Sequence, residues 1–177
     1  MRRRAFIASV AAGVSLTGCG FSPVYMRTAS GTAGIAQSEL SSVHVDIIPD
    51  RPGQLLRQAL QQRLEGSGSG LVTKYDLSVN YSIGGEGIAI QPDNTVTRIR
   101  FIARGAWTLY AQNPAHTQLA KGSAMNVDGL NILDQQYFEA DLVTEVVQRR
   151  MSEQIADQIT IQLAAYFRKQ AAAAAKA

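Results

Sequence analysis

Four sets of residues in the 177-residue chain have types and spacing that could do chemistry. The first is Leu16-Thr17-Gly18-Cys19, which ends on the sole cysteine of the sequence. A thiol is the nucleophile needed for thioether attachment of diacylglycerol, and Thr17 and Gly18 are small enough for a cleavage groove, so the stretch matches the bacterial lipobox. The second set is Arg98, Arg100 and Arg104, at even positions of one extended segment. Guanidinium forks suit bidentate binding of phosphate, and at about 3.3 Å per residue three of them would line one strand face over about 20 Å. Neighbouring acids could equally neutralise them on a solvated face. The third, His44 with Asp46, could form an acid and base pair, although a polar strand face needs no such role. The fourth, Gly84-Gly85-Glu86-Gly87, has the glycines of a phosphate loop without its lysine and following Ser or Thr, and reads as a strand bulge.

Much chemistry is excluded by what surrounds these sets. A metal site needs several convergent ligands, and the chain offers two histidines and one thiol that the lipid consumes. His116 falls in a turn and reads as surface. No Gly-x-Ser-x-Gly elbow is present. Neither an enzyme nor a cofactor is expected.

The elements that must position these residues begin with an export signal. Arg2, Arg3 and Arg4 precede an apolar run, Ala5 to Leu16, too short to span a bilayer. Residues 1–18 are therefore expected to be cleaved, leaving 177 − 18 = 159 residues, enough for one domain. The signal also carries three of the 17 basic residues, so the remainder has 14 basic and 14 acidic residues. The net charge of +3 belongs to the signal, and a nucleic-acid partner is not expected. Acyl chains on Cys19 would anchor the protein stably. Gly20 is not the acidic residue of the enterobacterial inner-membrane retention rule, so the expected location is the inner leaflet of the outer membrane, facing the periplasm. Arg3-Arg4 also resembles a twin-arginine signal, and the export route stays open.

Residues 19–40 read as a lipidated N-terminus and flexible leash: Gly20 to Tyr25 is apolar enough to dock, and Thr28 to Ser38 is rich in small residues. A single domain is expected over 41–170. Alternation predicts a first strand over Ser42 to Ile48 with Val43, Val45 and Ile47 on one side. Asp50 is placed to cap a helix that carries Leu56, Ala59, Leu60 and Leu64 and ends at Gly66. The run Gly66 to Gly70 is a loop and Pro92-Asp93-Asn94 a turn. Strands are predicted from Tyr75 to Ile83, with a parity flip at the glycines, from Val96 to Ala111, and from Leu119 to Val127. Asp134 to Lys169 lacks proline and glycine over 36 residues and is expected to be mainly helix. Its stripe of Val147, Met151, Ile155, Ile159, Leu163 and Phe167 winds around a rod of about 50 Å. The alanine tail, 171–177, is expected to fray. The order strand, helix, three strands, helix predicts an α+β two-layer sandwich, with two helices on one face of a mixed four-stranded sheet and the other face wet.

Cys19-Gly20-Phe21-Ser22-Pro23-Val24-Tyr25, followed by Ile48-Pro49-Asp50-Arg51-Pro52-Gly53-Gln54-Leu55-Leu56-Arg57, resembles the lipopolysaccharide-assembly lipoprotein family, LptE, in its alphaproteobacterial form. The likeness extends to Tyr166-Phe167. It implies the same two-layer fold, a large outer-membrane barrel (LptD-type) as partner with the lipoprotein as plug in its lumen, and binding of lipopolysaccharide. No binding residue of the family maps onto a position here, so the arginine row remains an inference from the residues. A polar lumen suits a near-neutral domain with a wet face. The alternative reading is a periplasm-facing lipoprotein adaptor or pilotin that regulates an envelope enzyme or secretion channel.

Overall fold

The computed structural model describes residues 34–64, 72–90, 96–131 and 137–175. Cys19, the signal, the start of the leash, the Gly66–Gly70 loop and the Pro92–Asn94 turn lie outside the described residues. The elements are α1 (Ile35–Leu40), β1 (Val43–Val45), α2 (Asp50–Leu64), β2 (Tyr75–Ile90), β3 (Val96–Ala111), β4 (Gln118–Asn131) and α3 (Tyr137–Ala174). The sheet order is β1-β2-β3-β4, with β1 parallel to β2 and the other two pairs antiparallel. The α+β class and the mixed sheet are as the alternation predicts, with a third helix added.

Strand parity decides which face is buried. Leu77 and Val79 of β2 and Phe101, Ala103, Trp107 and Leu109 of β3 are buried under the helices, while Ser78, Asn80, Ser82, Arg98, Arg100 and Arg104 are exposed on the other side. The register places Leu130 and Ala124 of β4 beside Ile99 and Gly105, so its even residues join the core. All six members of the four-residue stripe on α3 are buried there. Gly105 lets the helix lie close, since a Cβ on it would stand 3.1 Å from Ile155 Cγ2. Gly122 is tighter still: a Cβ would meet Trp107 Cζ2 at 2.7 Å and Gln162 Oε1 at 2.8 Å. α2 and α3 run side by side in the same direction, tied by Arg51 to Glu145 at 2.9 Å and by Arg63 to Asp157 at 2.6 Å.

Five local expectations differ from the structure. β1 stops at Val45, so Ile47 turns outward, 84% exposed, and Ile48 takes the core position. The end of the expected leash is α1, whose Ala36 and Leu40 are buried in the core; two apolar side chains one helical turn apart suffice to seat it. Asp50 is itself the first residue of α2, with φ 66 rather than extended cap geometry. The glycines pair regularly, Gly84 with Ile102 and Gly85 with Phe101, and the register shifts fall between Gly87 and Ile90, so the bulge lies after the glycines. α3 continues to Ala174, because alanine is the strongest helix former and extends a helix already nucleated.

Candidate functional site

β3 is the second of three long strands, and its even residues face away from every helix. Arg98, Arg100 and Arg104 project from it onto the open face of the sheet. The structure places all three there but gives them different surroundings. Arg100 stands opposite Glu86, and its Nε donates to Glu86 Oε1 at 2.7 Å while a second guanidinium nitrogen contacts the same oxygen. Both partners are about half exposed, so this charge is neutralised at the surface. Arg98 and Arg104 have no acidic partner among the described residues. The guanidinium of Arg98 lies beside Gly129, 3.7 Å from where a Cβ would stand. Arg104 sits between Ser82 of β2 and Met125 of β4.

The register adds residues that the sequence reading did not single out. Ile102 pairs with Val127, and Arg104 with Met125, on the same open face. Met125 is 57% exposed and Val127 53%. Lys121, opposite Thr108, contributes another exposed cation. Cations therefore flank an apolar strip of Ile102, Met125 and Val127. The arrangement can hold an amphiphile that carries anionic groups beside hydrocarbon, with charge-assisted hydrogen bonds from the arginines and area burial on the strip. The sequence signal for Met125 and Val127 was their odd parity in a strand whose even residues are core, but this is readable only once the pairing is known.

Other candidates are not brought together. His44 is exposed on β1, and His116 lies in the β3 to β4 turn with φ 44, near the edge of the Tyr110 ring. Among the described residues no cluster of His, Cys, Asp and Glu could hold a metal ion, and no helix is long and apolar enough to cross a membrane. A groove of about 510 Å³ lies at the far end of the sheet, lined by Tyr75, Ala111, Leu119, Tyr166, Phe167 and Gln170. There Tyr75 donates to Glu39 Oε2 at 2.8 Å, and Lys74 Nζ donates to the other oxygen at 3.1 Å. Burial, with the Glu39 carboxylate beside it, pushes the Tyr75 phenol up to about 12. Tyr81 donates to Ser152 Oγ at 3.1 Å, because that serine spends its own proton on Gln148 O at 2.8 Å. Burial raises the Tyr81 phenol as well.

Fold and site together define a two-layer α+β domain whose exposed sheet face is a surface for contact. The lipopolysaccharide-assembly family, LptE, matches residues 40–163. The chain belongs to that family, a family of bacterial envelope lipoproteins that act in lipopolysaccharide assembly. The fold is shared with solved lipoproteins of low sequence identity. A Caulobacter crescentus CB15 protein described as a lipoprotein aligns with TM-score 0.60 and 22% identity, covering 75% of this chain and 95% of that one. Rare lipoprotein B from Shewanella oneidensis aligns with TM-score 0.53 and 13% identity over 70% and 92% of the two chains. Lipoprotein B from Nitrosomonas europaea gives 0.52 and 14% over 70% and 81%. No curated protein sequence matches the chain.

Proposed function

We propose that this protein is an outer-membrane lipoprotein, acylated at Cys19 and facing the periplasm, that plugs and helps assemble the barrel inserting lipopolysaccharide, and that it binds lipopolysaccharide on its open sheet face. It works by contact and placement, without catalysis. The observation that carries the binding part is one open sheet face that holds Arg98 and Arg104, without an acidic partner among the described residues, together with exposed Met125 and Val127, Arg104 standing directly opposite Met125. Lipid A joins phosphates to acyl chains, and a face that offers cations beside apolar side chains matches both. Family membership supports the assembly role, and the resemblance that runs from Cys19 supports the barrel as partner.

Replacing Arg98 and Arg104 with serine removes the guanidinium groups of this face that have no acidic partner among the described residues. Hydrogen bonds to charged groups contribute about 1.5–3 kcal/mol each, so affinity for lipopolysaccharide should fall roughly tenfold or more per arginine with the thermal melt unchanged. Arg100→Ser should cost less, because Glu86 already holds that group. Unchanged binding in the double variant removes the open face from the mechanism. Gentle solubilisation of outer membrane followed by identification of the co-isolated protein tests the partner: a large barrel is expected, whereas a synthase or secretin would favour the adaptor reading. Intact mass of the native product checks the acylation.

A further inference from the structure

At the far end of the sheet Phe167 of α3 is buried between two aromatic neighbours, its ring centroid 5.1 Å from that of Tyr75 and 5.4 Å from that of Tyr166. Both tyrosines stay partly exposed, as do Ala111 at the end of β3, Leu119 near the start of β4 and Ala171 near the end of α3. Together they wall the groove of about 510 Å³, within the size range of clefts that take a drug-sized molecule. The alanines that prolong α3 keep it open, since Ala171 brings helix backbone but almost no side chain to the wall. The polar groups at the rim are satisfied within the chain: Glu39 accepts from Tyr75 and Lys74, and Gln170 Nε2 donates to the Tyr166 hydroxyl at 3.2 Å. The wall itself is apolar, and aromatic rings left half in water gain free energy when they are covered.

The chain carries a segment of matching chemistry within reach. Glu39 of α1 lines the groove, and Gly34, where the described residues begin, lies five residues upstream, about 8 Å along a helix. Eight residues, 26–33, lead back from there to Phe21-Ser22-Pro23-Val24-Tyr25, and at about 3.3 Å each they span up to about 26 Å. After Cys19, Phe21 and Tyr25 are the aromatic residues that lie outside the described ranges. Other undescribed stretches suit the groove less well. Ile132 and Leu133 follow β4 at Asn131, whose partner Arg98 is at the opposite end of the sheet, and the loop before β2 offers Leu71 after a run of glycines and serines. Pro23 adds preorganisation: its ring fixes its own φ and biases Ser22 to extended backbone, so less chain entropy is lost on docking. Extended segments that carry proline are a recurrent ligand of aromatic-lined grooves.

We propose that Phe21–Tyr25 docks into this groove of its own chain, with its two aromatic side chains against Tyr75, Tyr166 and Ala171. Docking shortens the link between the anchor and the domain. Cys19 stands two residues before Phe21, so it is held within about 7 Å of the groove rather than at the end of a 15-residue tether from Gly34. With Cys19 acylated, the end of the sheet that carries the β3 to β4 turn is then set toward the bilayer, and the end that carries Arg98 points away from it. That orientation rests on the acylation proposed above, whereas the docking does not.

The test uses the full chain in isolated membranes with photoreactive p-benzoylphenylalanine in place of Tyr25. Irradiation should give a cross-link within one chain, mapped by peptide mass spectrometry to the stretch from Tyr166 to Ala174 or to Tyr75. Ala171→Trp fills the groove from the helix wall and should lower that cross-link at least tenfold. In the purified lipoprotein Phe21→Ser should lower the thermal midpoint by about 3–8 °C, and by under about 1 °C when Ala171→Trp is present, a cycle that does not depend on the photoreactive variant. No cross-link, or one to residues outside the groove, to a second copy, to another protein or to lipid, overturns the proposal. So does a Phe21→Ser shift that Ala171→Trp leaves unaltered. Intact mass of the same preparation reads the acylation separately, so failure of the docking and failure of the anchor are told apart.

Discussion

Tyr75 ties three elements together with one side chain. Its ring tilts against Phe167 of α3 with centroids 5.1 Å apart, and its hydroxyl donates to Glu39 of α1. The folded state holds the phenolic proton up to about pH 12, against about 10 for the free group, so the folded protein binds more protons in that interval. The stabilisation is complete below pH 10 and is lost as pH rises through 10 to 12. Tyr75→Phe should therefore lower stability by about 1 kcal/mol at pH 8 and flatten the alkaline decline, as urea unfolding at pH 8 and pH 11 would show. Arg100 teaches a related lesson at the same scale. Its charge is legible in the sequence, but its neutralisation by Glu86, 14 residues away, follows only from the β2 to β3 register.

At the scale of elements, α3 does two jobs from adjacent faces. One face fills the core with Met151, Ile155, Ile159 and Leu163, all fully buried. The next face sets Gln154, Gln158 and Gln162 at four-residue spacing along β4, where they reach Asn126, the Met125 backbone and the Ser123 carbonyl. Gln162 also accepts from Trp107 Nε1 at 2.7 Å, so the strand edge and the core tryptophan share one amide. Gln158→Leu should bare the Met125 N–H and C=O while keeping the helix. We expect stability to fall by about 1–3 kcal/mol in chemical denaturation, with faster aggregation followed by light scattering. The apolar repeat of this helix was plain in the sequence. The glutamines repeat at the same spacing, but their role depends on which strand lies alongside.

For the whole molecule, the core is one cluster in which all three helices meet the sheet, and Ile155 is near its centre, buried and within reach of Gly105. Ile155→Ala should destabilise the domain by about 2–5 kcal/mol in equilibrium unfolding, since the close packing of helix on strand resists collapse into the cavity. By itself the sequence determined the type of every element but α1: period-two alternation marks β3 from Val96 to Ala111, and a proline-free, glycine-free run marks the long helix, because both signals are local. It also carried the family likeness and the face on which the arginines lie. What only the tertiary structure decided was whatever depends on residues distant in the chain. Strand order, the seating of α1, the outward turn of Ile47 and the meeting of Arg104 with Met125 all follow from pairing and burial. A side chain's parity is written in its own strand, but its neighbours are set by register between strands, and register is fixed only when the whole core closes.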